Sequence, residues 1–317
     1  IYDKQRKKIV LKEPSVVARD RKTGRLIAVG KEAREMLGKT PDSIQAIKPL
    51  QDGVIADIDS TKEMITYFIH KIYGNSLFKP EVMICVPIEV TSVERKALFD
   101  AVKGAKKTYI IEEGRAAIIG SGVDISQPEG SMVIDIGGGS TDIAILSLDE
   151  IIASKSIRIA GNRFDEDIVR YVKRKYNLLI GDRTAEKIKK DLGSALKVQS
   201  PEVMEIKGRD LETGIPNTVE VNANEIYEAI EDSLFQIVNS TKEVLEKCPP
   251  ELAADILDNG IVMTGGGSLI RNFIDMMEKE VGIKVFLSPN PLDSVVLGGG
   301  AAFDNKKLLR TLQMKEN

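Results

Sequence analysis

One stretch constrains the chain more than any other: Val133-Ile-Asp-Ile-Gly-Gly-Gly-Ser-Thr-Asp-Ile-Ala-Ile145. Apolar residues on both flanks predict a strand on each side, with the chain reversing at the glycines. That context excludes a dinucleotide fingerprint, which needs a helix N-terminus straight after its glycines. The chain offers no Walker A loop either, because Gly30-Lys31 is followed by Glu32 and lacks the earlier glycine. Three residues without Cβ atoms let successive backbone N–H groups converge on an anion. Ser140 and Thr141 add hydroxyl donors. Asp135, at the end of the incoming strand, is placed to hold a metal ion or its waters. A tight hairpin capped by an aspartate would use the same glycines. The Asp before the turn and the Ser-Thr after it favour a phosphate nest.

A second triplet occurs in Ile261-Val-Met-Thr-Gly-Gly-Gly-Ser-Leu269. Here the pattern predicts a strand feeding a helix over 269–281, with glycines that let a flat ring or a ribose approach the backbone. Two triplets about 130 residues apart point to one nucleotide held between two lobes. Between them, Glu186 and Lys189 are spaced to share a helix face. They suit either ribose hydroxyls or a solvated ion pair.

Strand and helix patterns alternate over the rest of the chain, so the class is α/β. Ser60-Thr-Lys-Glu63 and Thr91-Ser-Val-Glu94 both read as capping boxes. Asn224 reads as the cap of a long amphipathic helix that stops at Pro249-Pro250. Lys+Arg is 45 and Asp+Glu 48, a net charge of −3, so the basic excess of a nucleic-acid binder is missing. Two cysteines, Cys85 and Cys248, cannot build a disulfide framework, and the single histidine, His70, reads as structural. No apolar run approaches the ~18 residues of a membrane span, and no signal peptide opens the sequence. The chain starts at Ile1, in what reads as the middle of a hairpin, so further residues are expected before it.

Asp135-Ile-Gly-Gly-Gly-Ser-Thr is similar to the second phosphate loop of the actin/Hsp70/sugar-kinase ATPases, and Thr264-Gly-Gly-Gly-Ser to their adenosine motif. Four further segments, 52–57, 157–161, 181–186 and 249–256, resemble MreB, the bacterial actin family of rod-shaped cells. The resemblance runs from about Leu11 to about Phe303. It implies an actin-like ATPase fold, two lobes each of two subdomains around a nucleotide cleft. Subdomain IA would take 1–12, 58–125 and 301–317, and IB 13–57. IIA would take 126–161 and 227–300, and IIB 162–226.

The resemblance also implies ATP or ADP with Mg²⁺. Asp135 would act on the magnesium shell, through water. Gly137, Gly138, Gly139, Ser140 and Thr141 would meet the phosphates. Gly161 and Asp165 belong to the same nucleotide set, Glu186, Lys187, Ile188 and Lys189 fall at the ribose, and Gly265, Gly266, Gly267 and Ser268 on the adenosine side. Glu113, Asp135 and Ser140 would carry catalysis, with Glu113 orienting the attacking water. A filament-forming, slowly hydrolysing ATPase is implied, with polar and paired protofilaments at the inner face of the cytoplasmic membrane, possible membrane-protein partners and a role in cell shape. Leu77 and Phe78, two large apolar residues in a polar connection, would enter the membrane, and Lys306, Lys307 and Arg310 would add attraction to anionic lipid.

Three departures stand out. The family's first phosphate loop would lie before Ile1. Glu112-Glu113-Gly114-Arg115 replaces the usual Glu-Glu-Pro-Met, so a flexible glycine and a charge fall beside the expected water site. Ser140 replaces a threonine. These bear on hydrolysis rate more than on nucleotide binding. The competing functions are a small-molecule kinase of the same superfamily, for which no substrate-base motif is present, and a monomeric ATP switch.

Overall fold

The computed structural model describes residues 1–51, 54–74, 79–102 and 104–312. It forms two units, Ile1–Ala116 with Val296–Asn317, and Ala117–Val295.

The second unit is built on a five-stranded sheet in the order Glu150–Ile157, Thr141–Ser147, Ser131–Ile136, Ile261–Thr264, Val285–Leu287. The first three strands run antiparallel and the last three parallel. Thr141–Ser147 is buried along its whole length, which explains why it reads as a continuous apolar run instead of an alternation. Met132, Ile134 and Ile136, with Ile143 and Ile145, pack into one core with Phe164, Ile168, Ile226, Ile230 and Leu234 from the helices Gly161–Tyr176 and Ala223–Glu246. Because side chains alternate along a strand, Asp135 and Asp142 project from the opposite face.

Several sequence expectations change here. The long helix is capped by Asn222, whose side chain accepts from the N–H groups of Asn224 and Glu225, and Glu225 closes the box. Asn224 instead ties down Val198 through two hydrogen bonds. The strand Glu150–Ile157 gave no signal because its hairpin turns at Leu148 and Asp149, two non-glycine residues at φ 52° and 66°. The long helix does stop ahead of Pro249-Pro250, but a further helix, Pro250–Asn259, starts there, because proline suits a first helical turn.

In the first unit, Val17–Asp20 lies between Leu26–Val29 and Ile44–Ile47, all antiparallel. The helix Ile58–Tyr73 is capped by Asp57 and not by Ser60. The Ser60 N–H donates to Asp57 Oδ1 at 2.8 Å, and Glu63 pairs with Arg19 instead of closing a box. Asp57 is extended and still one residue outside the helix, so its carboxylate reaches the free first-turn donors before Ser60 can. Asp57→Ala is expected to cost about 1 kcal/mol in urea unfolding. The Thr91–Glu94 box forms as expected and opens the helix Ser92–Ala101, which joins the parallel strands Glu81–Val86 and Lys107–Glu112. Cys85 is half-buried on the first of these strands. Among the described residues no helix is long and apolar enough to cross a membrane. Leu77 and Phe78 lie outside the described residues.

Candidate nucleotide site

The strands Ser131–Ile136 and Ile261–Thr264 are parallel neighbours in register, with Asp135 opposite Thr264. Both therefore end at the same edge of the sheet, and each runs directly into a glycine triplet. The two triplets belong to one unit rather than to opposite lobes.

In the first triplet the orientation of the backbone follows from what lies behind it. The N–H groups of Gly161 and Asn162, at the start of the Gly161–Tyr176 helix, donate to the carbonyls of Gly137 and Gly138 at 3.1 and 2.7 Å. A trans peptide points its N–H opposite to its C=O. The Gly138 and Gly139 N–H groups are thus turned away from the helix, the arrangement an anion needs. Gly138 is exposed, and the nearest atom to a Cβ there would be 3.9 Å away. Gly137 N–H closes the turn onto Ser140 O at 2.9 Å. Ser140 is buried at the base of the turn. Thr141 is fully buried, and its hydroxyl donates to Ile159 O at 2.6 Å, so it braces the hairpin instead of offering a free donor.

Asp135 is 5% exposed and faces Asp142 across the hairpin. Burial pushes the Asp135 carboxyl up to about 7, and the charge of Asp142 adds to the effect. Asp142 was passed over in the sequence as part of a strand. The signal for it was the four-residue reversal, which sets 142 directly opposite 135. Among the described residues no three metal-ligating groups cluster. Magnesium usually takes one or two carboxylates together with substrate phosphates and waters, so this buried acidic pair beside a turn with N–H groups free of the helix fits Mg²⁺.

The second triplet differs from expectation. A 3₁₀ turn, Gly266–Leu269, follows the strand, and the helix starts only at Phe273. Gly265 (φ 82°) and Gly267 are required by Ile136, since a Cβ at either would sit 2.2 Å from that residue. These two glycines serve packing between the turns, and Gly266 alone of the three is exposed. Ser268 is buried, its hydroxyl donating to Gly265 O at 2.7 Å. Pro291 O accepts from Gly265 N–H and from the Thr264 hydroxyl, and a hydroxyl chain from the buried Thr264, Ser294 and Ser288 out to the half-buried Ser121 fixes the turn from beneath. Sequence reasoning missed these serines because scattered hydroxyls carry no spacing rule.

Residues 186–189 cannot all meet one ligand, because four successive helical residues point in different directions. Ile188 is fully buried in the core. Lys187 is exposed and pairs with Asp191 at 2.9 Å. Glu186 accepts from Lys190 at 2.7 Å. Lys189 points inward, its ammonium 2.8 Å from Asp165 Oδ1 and 2.7 Å from Gly161 O.

Glu113 is in the first unit, half-buried, where the strand Lys107–Glu112 passes directly into the helix Glu113–Gly120. Arg115 is 6% exposed and pairs with Glu112 at 3.1 Å, so its charge is balanced locally and does not stand open beside Glu113.

The fold and the two triplets define an actin-like, nucleotide-binding class. A chain of MreB5 of Spiroplasma citri bound to AMPPNP superposes with a TM-score of 0.90 at 38% identity, covering 95% of this chain and 91% of that one. The same protein bound to ADP matches with the same score. The sequence profile of the MreB/Mbl protein family matches residues 1–311, and the chain belongs to that family. It is 48% identical to the cell shape-determining protein Mbl of Bacillus subtilis, over 94% of this chain and 91% of Mbl. It is 46% identical to the cell shape-determining protein MreB of Escherichia coli, over 93% and 88%.

Proposed function

We propose that this chain binds ATP with Mg²⁺, hydrolyses it slowly, and assembles into polar, paired filaments at the inner face of the cytoplasmic membrane, where it supports cell shape. The observation that carries the reading is the Asp135–Thr264 register, which brings an anion-binding turn, an acidic pair and a second glycine turn to one sheet edge. Family membership, the names of the relatives and the AMPPNP- and ADP-bound MreB5 structures support it. In this reading the four subdomains follow the ranges given above.

Gly138 and Gly139 donate to the β- and γ-phosphates, and Ser140 supports them. Asp135 and Asp142 hold Mg²⁺, Asp135 through its waters; the ion supplies charge neutralisation at the phosphates. Gly266 lies on the adenosine side, with Glu186 at the rim. Glu113 orients the attacking water. Phosphoryl transfer depends mainly on positioning and charge stabilisation, and a carboxylate close to a polyanion is a weak base, so slow turnover suits a polymer timer. The exposed face of Lys306, Lys307 and Arg310 on the helix Lys306–Leu312 supports attraction to anionic lipid. Leu77 and Phe78 are assigned to membrane insertion from the family resemblance.

The test is sedimentation with and without Mg-ATP, together with phosphate release. The protein is expected to pellet only with nucleotide. Glu113→Ala is expected to keep ATP affinity and lose about 10²-fold or more in phosphate release. Equal pelleting without ATP would overturn the nucleotide-dependent filament, and an unchanged release rate would remove Glu113 from catalysis.

A further inference from the structure

We infer that Leu292 is an apolar platform for the base of the nucleotide, a specificity contact that lies outside both glycine triplets. The inference rests on the nucleotide reading above and deepens it. Three neighbouring strands run parallel toward the edge that carries the site, in the order Ser131–Ile136, Ile261–Thr264, Val285–Leu287. They end level, with Asp135 opposite Thr264 and Met263 opposite Leu287. The first delivers the phosphate turn, the second delivers Gly265 to Gly267, and the third delivers Ser288-Pro-Asn-Pro-Leu292. With strands about 4.8 Å apart, the first and third exits are separated by about 10 Å along that edge. That is the scale on which the sugar of a nucleotide separates its base from its phosphates.

Leu292 is 61% exposed, yet the backbone beneath it is held from several sides. Pro289 and Pro291 fix φ on either side of Asn290. Pro291 O accepts from Gly265 N–H at 2.9 Å and from the Thr264 hydroxyl at 3.1 Å. Two residues beyond Leu292, the Ser294 hydroxyl donates to Asn290 O at 2.9 Å and also meets the hydroxyls of Thr264 and Ser288. A fixed backbone that presents a large apolar side chain to water suits a ligand surface better than a solvated loop. The side chain leans over the second triplet. A Cβ on Gly266, the exposed glycine of the three, would lie 3.2 Å from Leu292 Cδ2. The leucine methyl and the bare glycine backbone thus form one step, with room for a flat ring and none for a further side chain. A purine face laid on that step takes apolar surface of both partners out of water. A methyl group has no hydrogen bond to offer, so the contact reads the face of the ring and not the groups on its edge.

Calorimetry on nucleotide-free protein in magnesium buffer tests this. Wild type, Leu292→Ser and Leu292→Phe are titrated with ATP and GTP, and with inorganic tripolyphosphate by displacement of ATP. Leu292→Ser is expected to weaken ATP and GTP by one common factor, about fivefold to thirtyfold, the scale of returning about 40–80 Å² of apolar surface to water. Tripolyphosphate, which carries neither base nor sugar, keeps its affinity. Leu292→Phe retains a flat apolar face and stays close to wild type. Gly266→Ala puts a methyl into the slot of the ring and is expected to repeat the pattern of Leu292→Ser with Leu292 in place. Unchanged ATP affinity in Leu292→Ser overturns the inference; it is what a leucine used only between subunits of a filament would give. Equal weakening of tripolyphosphate and ATP overturns it, and so does a Leu292→Phe protein as weak as Leu292→Ser. Should Leu292→Ser fail to fold by circular dichroism, Gly266→Ala carries the test, and unchanged ATP affinity there counts against the platform. A wild type that binds neither ATP nor tripolyphosphate would instead refute the nucleotide reading itself.

Discussion

Asp135→Asn is expected to make the nucleotide-free protein more stable at pH 8 while sharply weakening its binding of Mg-ATP. The carboxyl titrates near 7 in the fold, raised from an ordinary value of 3.8 by burial and then by Asp142. An acid whose folded pKa is raised binds more protons folded than unfolded. Its presence therefore costs stability as pH rises from about 4 to 7, and the cost stays in full above that window. Asparagine removes the cost. The expected gain is about 1–3 kcal/mol at pH 8, shrinking at pH 5, where the native carboxyl is already protonated. Thermal melts of both proteins at the two pH values measure it. In the same variant Mg-ATP affinity should fall about a hundredfold by calorimetry, because the proposed magnesium site would lose one of its two carboxylates. A variant that is less stable than wild type at pH 8, or that binds Mg-ATP equally well, would remove Asp135 from the cation site.

The second large effect is structural. Gly265 sits at φ 82°, ψ 165°, a region essentially closed to residues with a Cβ. A methyl there would lie 2.2 Å from Ile136 O and 2.6 Å from Asp135 Oδ1. The first obstacle is backbone at the end of the central strand and cannot swing aside. Gly265→Ala is expected to lose about 3–5 kcal/mol, combining backbone strain with overpacking. Gly138→Ala is the control. Its φ is not in the left-handed region and its nearest neighbour is 3.9 Å away, so it should melt within about 1 kcal/mol of wild type. Similar losses in the two variants would mean that the second turn is no more constrained than the first.

Both outcomes depend on features that the sequence shows unequally. The strands flanking the first triplet, the Thr91–Glu94 box and the two strands Glu81–Val86 and 108–111 with a helix between them were legible because each is written in local pattern: apolar runs and a hydroxyl three residues before a glutamate. The cap of Ile58–Tyr73 was misplaced because Asp57 and Ser60 both satisfy the local rule, and only the backbone conformation chooses between them. The hairpin at Leu148-Asp149 was invisible because its left-handed turn carries no glycine.

The sequence by itself determined the α/β class, the glycine reversal at 137–140 between two strands and, through its motifs, the family. Those properties reside in short windows, where side-chain periodicity and the absence of Cβ atoms act on the backbone directly. Only the tertiary structure decided that the two triplets share one sheet edge, that Asp142 faces Asp135, that Gly265 and Gly267 are glycine for the sake of Ile136, and that Lys189 turns inward while Lys187 turns out. Each is a relation between surfaces brought together by strand register and by burial on both faces of the sheet. Burial removes the water that would otherwise separate those groups, so charge, hydrogen bonding and close contact act between residues that the linear order keeps far apart.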